Sequence, residues 1–297
     1  MRPVAFSQRL PCLTVALLVA ICVPHTATPQ QENSFASWTD GQKEEFLLHA
    51  KIVRTETLDQ GVTIASRAEL MRDGIEHDGQ LQNVEISKPS YPTPRGYELN
   101  FKDSYKFNIA AYRLNRLLGL GMVPVSVPRV VRGKASAVTW WVDDVEMTEK
   151  TRYLKKLSPP DRTQWNRQMH NVRVFDQLIY NTDRNLGNLV ITNTWKIWMI
   201  DHTRTFRIHE RLDRPRNLLK CGRELFAAMK TLTREELDRE LDDHLTKSEI
   251  KALLARRDLI VALFEDKIRE KGKSAQQSSS TFVEPMGCPA DDVALSV

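Results

Sequence analysis

The fold of this chain is decided by residues 172 to 207, VRVFDQLIYNTDRNLGNLVITNTWKIWMIDHTRTFR. The first residues of this stretch place apolar side chains on one face of a helix. The polar loop Asn181–Asn188 follows, and then two apolar runs, Leu189–Ile191 and Trp195–Ile200, are separated by short polar residues. We interpret the two runs as a β-hairpin that ends at Asp201. A helix, a polar loop, a hairpin and a terminal acid together predict a functional site.

Three polar residues in this stretch have a spacing that suits phosphoryl transfer. Asp183 and Asn188 are five positions apart, and Asp201 follows Asn188 by thirteen, which is the length of a hairpin that returns beside the loop. Phosphoryl transfer needs one carboxylate for the attacking hydroxyl, and an amide oxygen and a second carboxylate for the metal ions. The pattern D-x-x-x-x-N is that of a kinase catalytic loop. The alternative is a polar turn with an N-cap aspartate before a surface loop.

The loop and Ile200-Asp201-His202 resemble the atypical kinases, namely the phosphoinositide kinases, the bacterial persistence-toxin kinase and the secretory-pathway kinases of exported proteins. The resemblance is strong over about residues 165 to 207 and looser over 43 to 145. It implies an α+β, two-lobed protein-kinase-like fold, with a small β-rich N-lobe and a helical C-lobe. It also implies ATP-dependent phosphorylation of a hydroxyl group on a protein, a sugar or a lipid headgroup.

The resemblance assigns a role to each residue of the loop. Asp183 would orient the acceptor hydroxyl as the base, and Asn188 and Asp201 would hold Mg²⁺ or Mn²⁺. Arg184 would steady either the loop or the γ-phosphate. His202 replaces the Phe of the kinase D-F-G motif; a packing or hydrogen-bonding role is favoured, and a metal role is the alternative.

The N-lobe departs from the kinase pattern at two positions. A kinase carries a strand lysine for the α- and β-phosphates and a helix glutamate that pairs with it. Here the corresponding positions carry Gln82 and Asn108, and we expect a neutral hydrogen-bonded pair. Gly61 would lie in the loop over the phosphates, or in a plain turn. The candidates for a replacement cation are Lys88, Arg95, Lys102 and Arg113.

Two arginines follow the second acid closely. Arg204 and Arg207 either meet a phosphate or an acidic substrate, or they pair with Asp183 and nearby carboxylates. The sequence leaves these alternatives open.

Composition and the amino terminus indicate an exported globular protein. The 297 residues are 41% hydrophobic, which is ordinary for a globular protein. The net charge is +5, and the sequence contains no Lys/Arg block of the kind that binds nucleic acid. Arg2 and Arg9 precede an apolar run, Pro11–Val23, that is too short for a transmembrane helix. We interpret it as a secretory signal cleaved near Ala27, in a bacterial protein that is periplasmic or secreted. The alternatives are an uncleaved anchor and a cytosolic protein with a chance apolar start.

The predicted plan is a signal peptide (1–27), an N-lobe (43–145), a C-lobe (146–271) and a disordered tail (272–297) that is rich in Ser and Gln. Within the N-lobe the patterns predict a helix over 41–54, strands over 57–71, 80–86, 123–131 and 135–142, a loop over 89–96, a helix from Asp103-Ser104 to Leu118, and a hinge at 143–146. Capping boxes at Thr233–Glu236 and Thr246–Glu249 predict two later helices.

Two other function classes remain open at this point. One is a catalytically inactive binding module in the cell envelope, which the missing lysine and glutamate and the scarcity of ATP outside the cytoplasm favour. The other is a metal-dependent hydrolase that uses Asp183, Asp201 and His202. The hairpin spacing between Asn188 and Asp201 favours the kinase over the hydrolase.

Overall fold

The protein has a β-rich amino-terminal lobe, built on an antiparallel sheet, and a carboxyl-terminal lobe that is mostly helical. The computed structural model describes residues 35–58, 65–93 and 96–278, with side chains as far as residue 271. The strands are β1 (Lys51–Thr57), β2 (Ser66–Arg72), β3 (Ile75–Gln82), β4 (Glu85–Thr93), β5 (Gly96–Ser104), β6 (Ser126–Val131), β7 (Lys134–Trp140), β8 (Val145–Thr148), β9 (Leu189–Thr192) and β10 (Ile197–Met199). The α-helices are α1 (Asp40–His49), α2 (Lys106–Leu117), α3 (Glu149–Leu154), α4 (Arg162–Leu178), α5 (Arg223–Thr231), α6 (Arg234–Leu241) and α7 (Lys247–Ser278).

The N-lobe sheet has five strands in the order β1-β2-β3-β7-β6. Strands β2 and β3 join through Asp73-Gly74, where both residues have positive φ (53° and 78°), as a tight two-residue hairpin turn requires. Strands β6 and β7 join in the same way through Arg132-Gly133, with φ of 50° and 77°. In both turns the second residue is glycine, which adopts positive φ at little steric cost.

Some boundary predictions in the N-lobe are wrong, among them the strand over 80–86, which includes both the end of β3 at Gln82 and the start of β4 at Glu85. The first helix ends at His49 rather than at residue 54, and β1 begins at Lys51, because the β-branched residues that follow favour a strand. Of the strand pair predicted over 57–71, the second strand is confirmed as β2, which pairs with β1 in a register that sets Thr57 opposite Ser66, whereas residues 59–64 lie outside the described residues. The described part of the predicted loop, residues 89–93 and 96, belongs to strands β4 and β5. Both strands of a two-stranded ribbon are edge strands, and edge strands tolerate proline.

The C-lobe supports the long helix α4 and the hairpin that follows it. Asp161 caps α4 by accepting from Thr163 N and Gln164 N, at 2.8 and 3.0 Å. Strands β9 and β10 pair as predicted, with Ile191 opposite Ile197, and β8 adds to the outer edge of β9. The two predicted capping boxes begin α6 and α7. Helix α7 extends to Ser278, so its backbone includes the first residues of the segment that composition predicted to be a tail.

One hydrophobic core runs through both lobes. It extends from Phe46 and Leu70 in the N-lobe to Phe175 and Ile260 in the C-lobe. Helix α2 lies between the sheet and α6, and its Arg113 donates to Glu240 O at 2.9 Å. None of the helices that the structure describes is long and apolar enough to cross a membrane.

His244, in the turn between α6 and α7, makes the stability of the fold sensitive to acid. The side chain is buried, and this burial together with the charges of Arg113 and Lys106 lowers the pKa of the imidazole to about 4, against the opposing charges of Asp243 and Asp242. An unfolded chain binds a proton there near pH 6.5, whereas the folded chain does so only near pH 4. The stability contributed by neutral His244 is therefore present above pH 6.5 and is lost as the pH falls toward 4.

We predict that His244→Gln flattens the loss of stability between pH 6.5 and 4. The substitution removes a contribution of up to about 3 kcal/mol at the acid end of this window. Urea unfolding at several pH values measures the effect. The control is Asn166→Gln, at an exposed position of α4 where neither side chain is ionisable, and its pH profile should follow that of wild type. Equal profiles for His244→Gln and wild type would show that this imidazole does not titrate on unfolding.

Candidate functional site

The polar loop Asn181–Asn188, which contains Asp183 and is here called the acidic loop, closes onto the end of the hairpin. It brings Asp183, Asn188 and Asp201 together. Asn181 Oδ1 accepts from Asp183 N at 2.9 Å, and Asn188 Nδ2 donates to Asp183 O at 3.3 Å, so the loop is folded on itself. Ile200 N donates to Asn188 O at 3.1 Å, which places the next residue, Asp201, beside the loop. The hairpin thus performs the chain reversal that its length predicted.

The two acids lie in an environment that disfavours two negative charges. Burial raises the pKa of Asp201, and the charge of Asp183 raises it further. Burial also raises the pKa of Asp183, against the effect of Arg204 and with that of Asp103. Asp201 has φ of 55°, in the left-handed region, and its Oδ1 accepts from Thr203 Oγ1 at 3.2 Å. Since a cation would relieve this repulsion, and Asn188 and Asp201 supply oxygen donors, these residues fit a hard divalent ion.

Arg184 connects helix α4, the loop and the end of the hairpin through hydrogen bonds. Its Nε and Nη2 donate to Asp176 at 3.0 to 3.2 Å, and its Nη1 donates to Asn188 O and Ile200 O at 2.9 and 2.8 Å. The second hydrogen of Nη2 points to His202 Nε2 at 3.0 Å. All five donors of the guanidinium are therefore used within the protein. Of the two roles predicted for Arg184, this geometry fits the one that steadies the loop.

His202 is a hydrogen-bonding residue of the interior. The side chain is 1% exposed, and burial lowers its pKa well below the ordinary value, with a further contribution from Arg184. Because arginine only donates, Nε2 of His202 must be the unprotonated, accepting nitrogen. That nitrogen is the one that faces Arg184, so the geometry favours the hydrogen-bonding role over the metal role.

Gln82 and Asn108 form the neutral pair that the sequence suggested. Asn108 Nδ2 donates to Gln82 Oε1 at 2.7 Å, and both side chains are buried. Asn108 Oδ1 also accepts from the backbone N of His202 at 2.8 Å, which the sequence did not suggest. The pair therefore connects strand β3 and helix α2 to the residue that follows Asp201. The predicted cap of α2 by Asp103-Ser104 is wrong. The residue at the cap position is Tyr105, which makes no side-chain cap, and Asp103 pairs with Arg204 instead.

Arg204 and Arg207 pair with carboxylates of the β4–β5 hairpin. Arg204 Nε donates to Asp103 Oδ2 at 3.2 Å, and Arg207 Nε lies 2.6 Å from Glu98 Oε1. Arg204 Nη1 lies 3.8 Å from Asp183 Oδ2. Of the two alternatives that the sequence left open, pairing with acids is the one that the structure shows.

The other candidate cations are engaged or lie elsewhere. Lys102 pairs with the buried Glu249 at 2.6 Å, Arg113 donates to a backbone carbonyl, and Lys88 lies 5.2 Å from the ring centre of Tyr91. Arg95 and Gly61 lie outside the described residues, so their predicted roles stay predictions. Among the described residues there is no group of three His, Cys, Asp or Glu side chains that could hold a metal ion.

Sequence reasoning missed two acids that shape the site. Asp176 anchors Arg184, and Asp103 anchors Arg204. A carboxylate on the apolar face of α4 was an available signal for Asp176, since a buried charge needs a partner. No comparable signal marks Asp103, whose partner is 101 positions away in the chain.

Solved structures contain counterparts of this fold. The structure of hydra Fam20 with sugar matches with a TM-score of 0.61 and 16% identity, over 79% of this chain and 90% of that chain. The crystal structure of the Golgi casein kinase with Mn/ADP bound matches with a TM-score of 0.56 and 13% identity, over 75% of each chain. No protein family model and no curated protein matches. The likeness confirms the predicted fold, which is α+β, two-lobed and protein-kinase-like.

We predict that Asn108→Leu destabilises the protein by about 2 to 4 kcal/mol. Leucine has a similar volume but leaves His202 N and Gln82 Oε1 buried without their partner, and each such group costs about 1 to 3 kcal/mol. Urea unfolding at pH 7 measures the change. The matched control is Asn166→Leu, at an exposed helical position, which should change stability by less than about 0.5 kcal/mol. Equal effects of the two substitutions would contradict a bridging role for Asn108.

Proposed function

We propose that this chain, which has the fold of the atypical kinases, is an ATP- and metal-dependent phosphotransferase that acts on a hydroxyl acceptor. The observation that carries the proposal is the convergence of Asp183, Asn188 and Asp201, held in place by the fully engaged guanidinium of Arg184. The acceptor is a hydroxyl of a protein, a sugar or a lipid headgroup, because the loop itself does not select among these carriers.

In the proposed reaction each residue has one task. Asp183 orients the acceptor hydroxyl and takes its proton, and the raised pKa of this carboxyl makes it a stronger base than an exposed aspartate. Asn188 and Asp201 are the residues that would hold Mg²⁺ or Mn²⁺. The ion, when bound, supplies charge neutralisation on the phosphates. Arg184 keeps the loop and the end of the hairpin in position, and Asn108 keeps the residue after Asp201 in position.

The similar structures support nucleotide and metal as ligands. The Golgi casein kinase, which shares the fold, is described with Mn and ADP bound, and the hydra Fam20 structure is described with sugar. By analogy we propose ATP with Mg²⁺ or Mn²⁺ as the ligands here, and a nucleic acid is not among the proposed partners. We also propose export to the periplasm or the medium through the signal at residues 1–27, which lie outside the described residues.

A second candidate function is a catalytically inactive kinase-like binding module. One observation favours it, namely that Gln82 and Asn108 satisfy each other and place no charge where a kinase has a lysine. The hydrolase hypothesis loses support, because His202 is buried and its accepting nitrogen faces Arg184.

We predict that ATP with Mn²⁺ or Mg²⁺ raises the melting temperature of the full-length protein, and that Asp201→Asn abolishes the rise. A ligand at about 100 times its Kd stabilises by about 2.7 kcal/mol, and at about 2 to 4 °C per kcal/mol for a domain of this size the melting temperature should rise by about 5 to 11 °C. A thermal shift assay measures it without knowledge of the acceptor. A rise that does not need the metal, or that persists in Asp201→Asn, would contradict the proposed metal site.

The same preparation separates the two candidate functions. In a kinase, slow transfer of the γ-phosphoryl group to water should fall by about 10²- to 10⁴-fold in Asp183→Asn, with nucleotide binding retained. Nucleotide binding without any turnover, unchanged by Asp183→Asn, would favour the binding module. No binding of any nucleotide would sink the phosphotransferase proposal.

A further inference from the structure

The neutral pair in the N-lobe leaves the proposed reaction short of positive charge. The transferring phosphoryl group carries negative charge that must be stabilised, and in kinases a strand lysine contributes to this. Here Asn108 donates to Gln82 and accepts from His202 N, and both side chains are neutral, so neither brings a charge to the nucleotide. A cation from another element must take this place if the site is active.

Three arginines act electrostatically on the Asp183 carboxylate, in the order Arg204, Arg184 and Arg207. Arg184 has no donor left, because Asp176, two carbonyls and His202 use all five. Arg207 is 4% exposed and is held by Glu98, by a carbonyl oxygen and by Thr182. Neither guanidinium can turn to a ligand without breaking buried hydrogen bonds.

Arg204 differs from the other two. Its Nε donates to Asp103, and within the part of the chain that the structure describes its two terminal nitrogens make no hydrogen bond. Nη1 lies 3.8 Å from Asp183 Oδ2, which is an ion-pair distance but longer than a hydrogen bond. The guanidinium carbon lies 5.2 Å from the ring centre of Phe101 and 5.8 Å from that of Tyr91. The group is thus fixed at one nitrogen and has donors available at the other two.

We propose that Arg204 binds the phosphoryl group during its transfer and supplies the charge that position 82 lacks. This inference rests on the proposed function. The acceptor hydroxyl must lie within about 3 Å of Asp183 for its proton to be taken. The phosphorus that this oxygen attacks is then close to the Asp183 carboxylate. Arg204 Nη1 is already 3.8 Å from Oδ2 of that carboxylate. Guanidinium donors match phosphoryl oxygens in geometry as well as in charge.

The transfer of the γ-phosphoryl group from ATP to the acceptor hydroxyl needs no further reactant. The acceptor oxygen forms a bond to the γ-phosphorus, and the bond between this phosphorus and the β,γ-bridging oxygen breaks. The bridging oxygen leaves with the electron pair as part of ADP, and the hydroxyl proton goes to Asp183. Arg204 undergoes no chemical change in this step. Its terminal nitrogens exchange the ion-pair contact with Asp183 for hydrogen bonds that they donate to the phosphoryl oxygens.

Asp103 is the residue that makes Arg204 ready for this role. It lies near the end of β5, its side chain is 3% exposed, and it holds Nε while Nη1 lies 3.8 Å from Asp183 in the loop. The aromatic pair of Tyr91 and Phe101, stacked at 4.1 Å, supports the guanidinium on the hairpin side. Because the side chain is ordered before ligand binds, little rotamer freedom is lost on contact with phosphate.

The test is the ratio of ATP affinity to ADP affinity, measured by thermal shift titration of the full-length protein with Mn²⁺. ADP with beryllium fluoride serves as a second probe that mimics the phosphoryl group. In Arg204→Gln we expect ADP to bind as in wild type, whereas the preference for ATP and for the fluoride complex falls by about tenfold or more. The matched control is Arg234→Gln, an exposed arginine of α6, which should keep the wild-type ratio.

Each outcome decides for or against the role of Arg204. A wild-type ratio in Arg204→Gln overturns it and leaves the proposed function standing, and so does an equal loss of ATP and ADP binding. A wild-type protein that binds no nucleotide overturns the proposed function and this inference together. If Arg204→Gln does not fold because Asp103 is left buried and charged, the double variant Asp103→Asn/Arg204→Gln replaces the ion pair with a neutral pair and gives the same readout.

Discussion

The buried guanidinium of Arg184 is the interaction on which the site depends. It joins the end of α4, through Asp176, to two carbonyls, one in the acidic loop and one at the end of the hairpin. An arginine cannot lose its proton in a protein, so this charge must be compensated wherever it is buried. Asp176 supplies the compensation, and the loop and the hairpin are drawn to a fixed distance from each other as a result. The relative positions of Asp183, Asn188 and Asp201 follow from this one group.

The β4–β5 hairpin is the second constraint, because it belongs to the N-lobe in sequence but contacts the C-lobe. Three ion pairs attach it, formed by Arg204 with Asp103, Arg207 with Glu98, and Lys102 with Glu249. Two of these acids are buried, so the attachment is stronger than that of surface pairs, whose individual worth is small. The bridge from Asn108 to His202 adds a neutral connection on the other side of Asp201. The segment after Asp201 is therefore held from two N-lobe elements at once.

The sequence predicted the part of the site that is local in the chain. The helix, the loop, the hairpin and the acid span fewer than forty residues, and their order follows from periodicity and turn chemistry. The Gln82–Asn108 contact was predicted from the absence of both charges, and it is present. The errors lie at boundaries, such as the end of the first helix at His49, and in the proline-containing hairpin. There the partner strand, which is not visible in a local pattern, decides whether an extended segment forms a ladder.

By itself the sequence indicated the fold class, through the resemblance of the loop and of Ile200-Asp201-His202 to the atypical kinases. It also determined the order of helix, loop, hairpin and acid, because local hydrogen bonds and the alternation of apolar residues fix these elements. Only the tertiary structure decided where the charges go. Arg204 and Arg207 could have met ligand or protein, and Asp103 carried no signal of its role, since their pairing joins positions about one hundred residues apart. Such pairs depend on which distant carboxylate is brought near when the lobes pack, and a charge in a linear sequence does not name its partner. The physical reason is that Coulomb attraction is not directional in the chain, whereas helices and hairpins are built from neighbours.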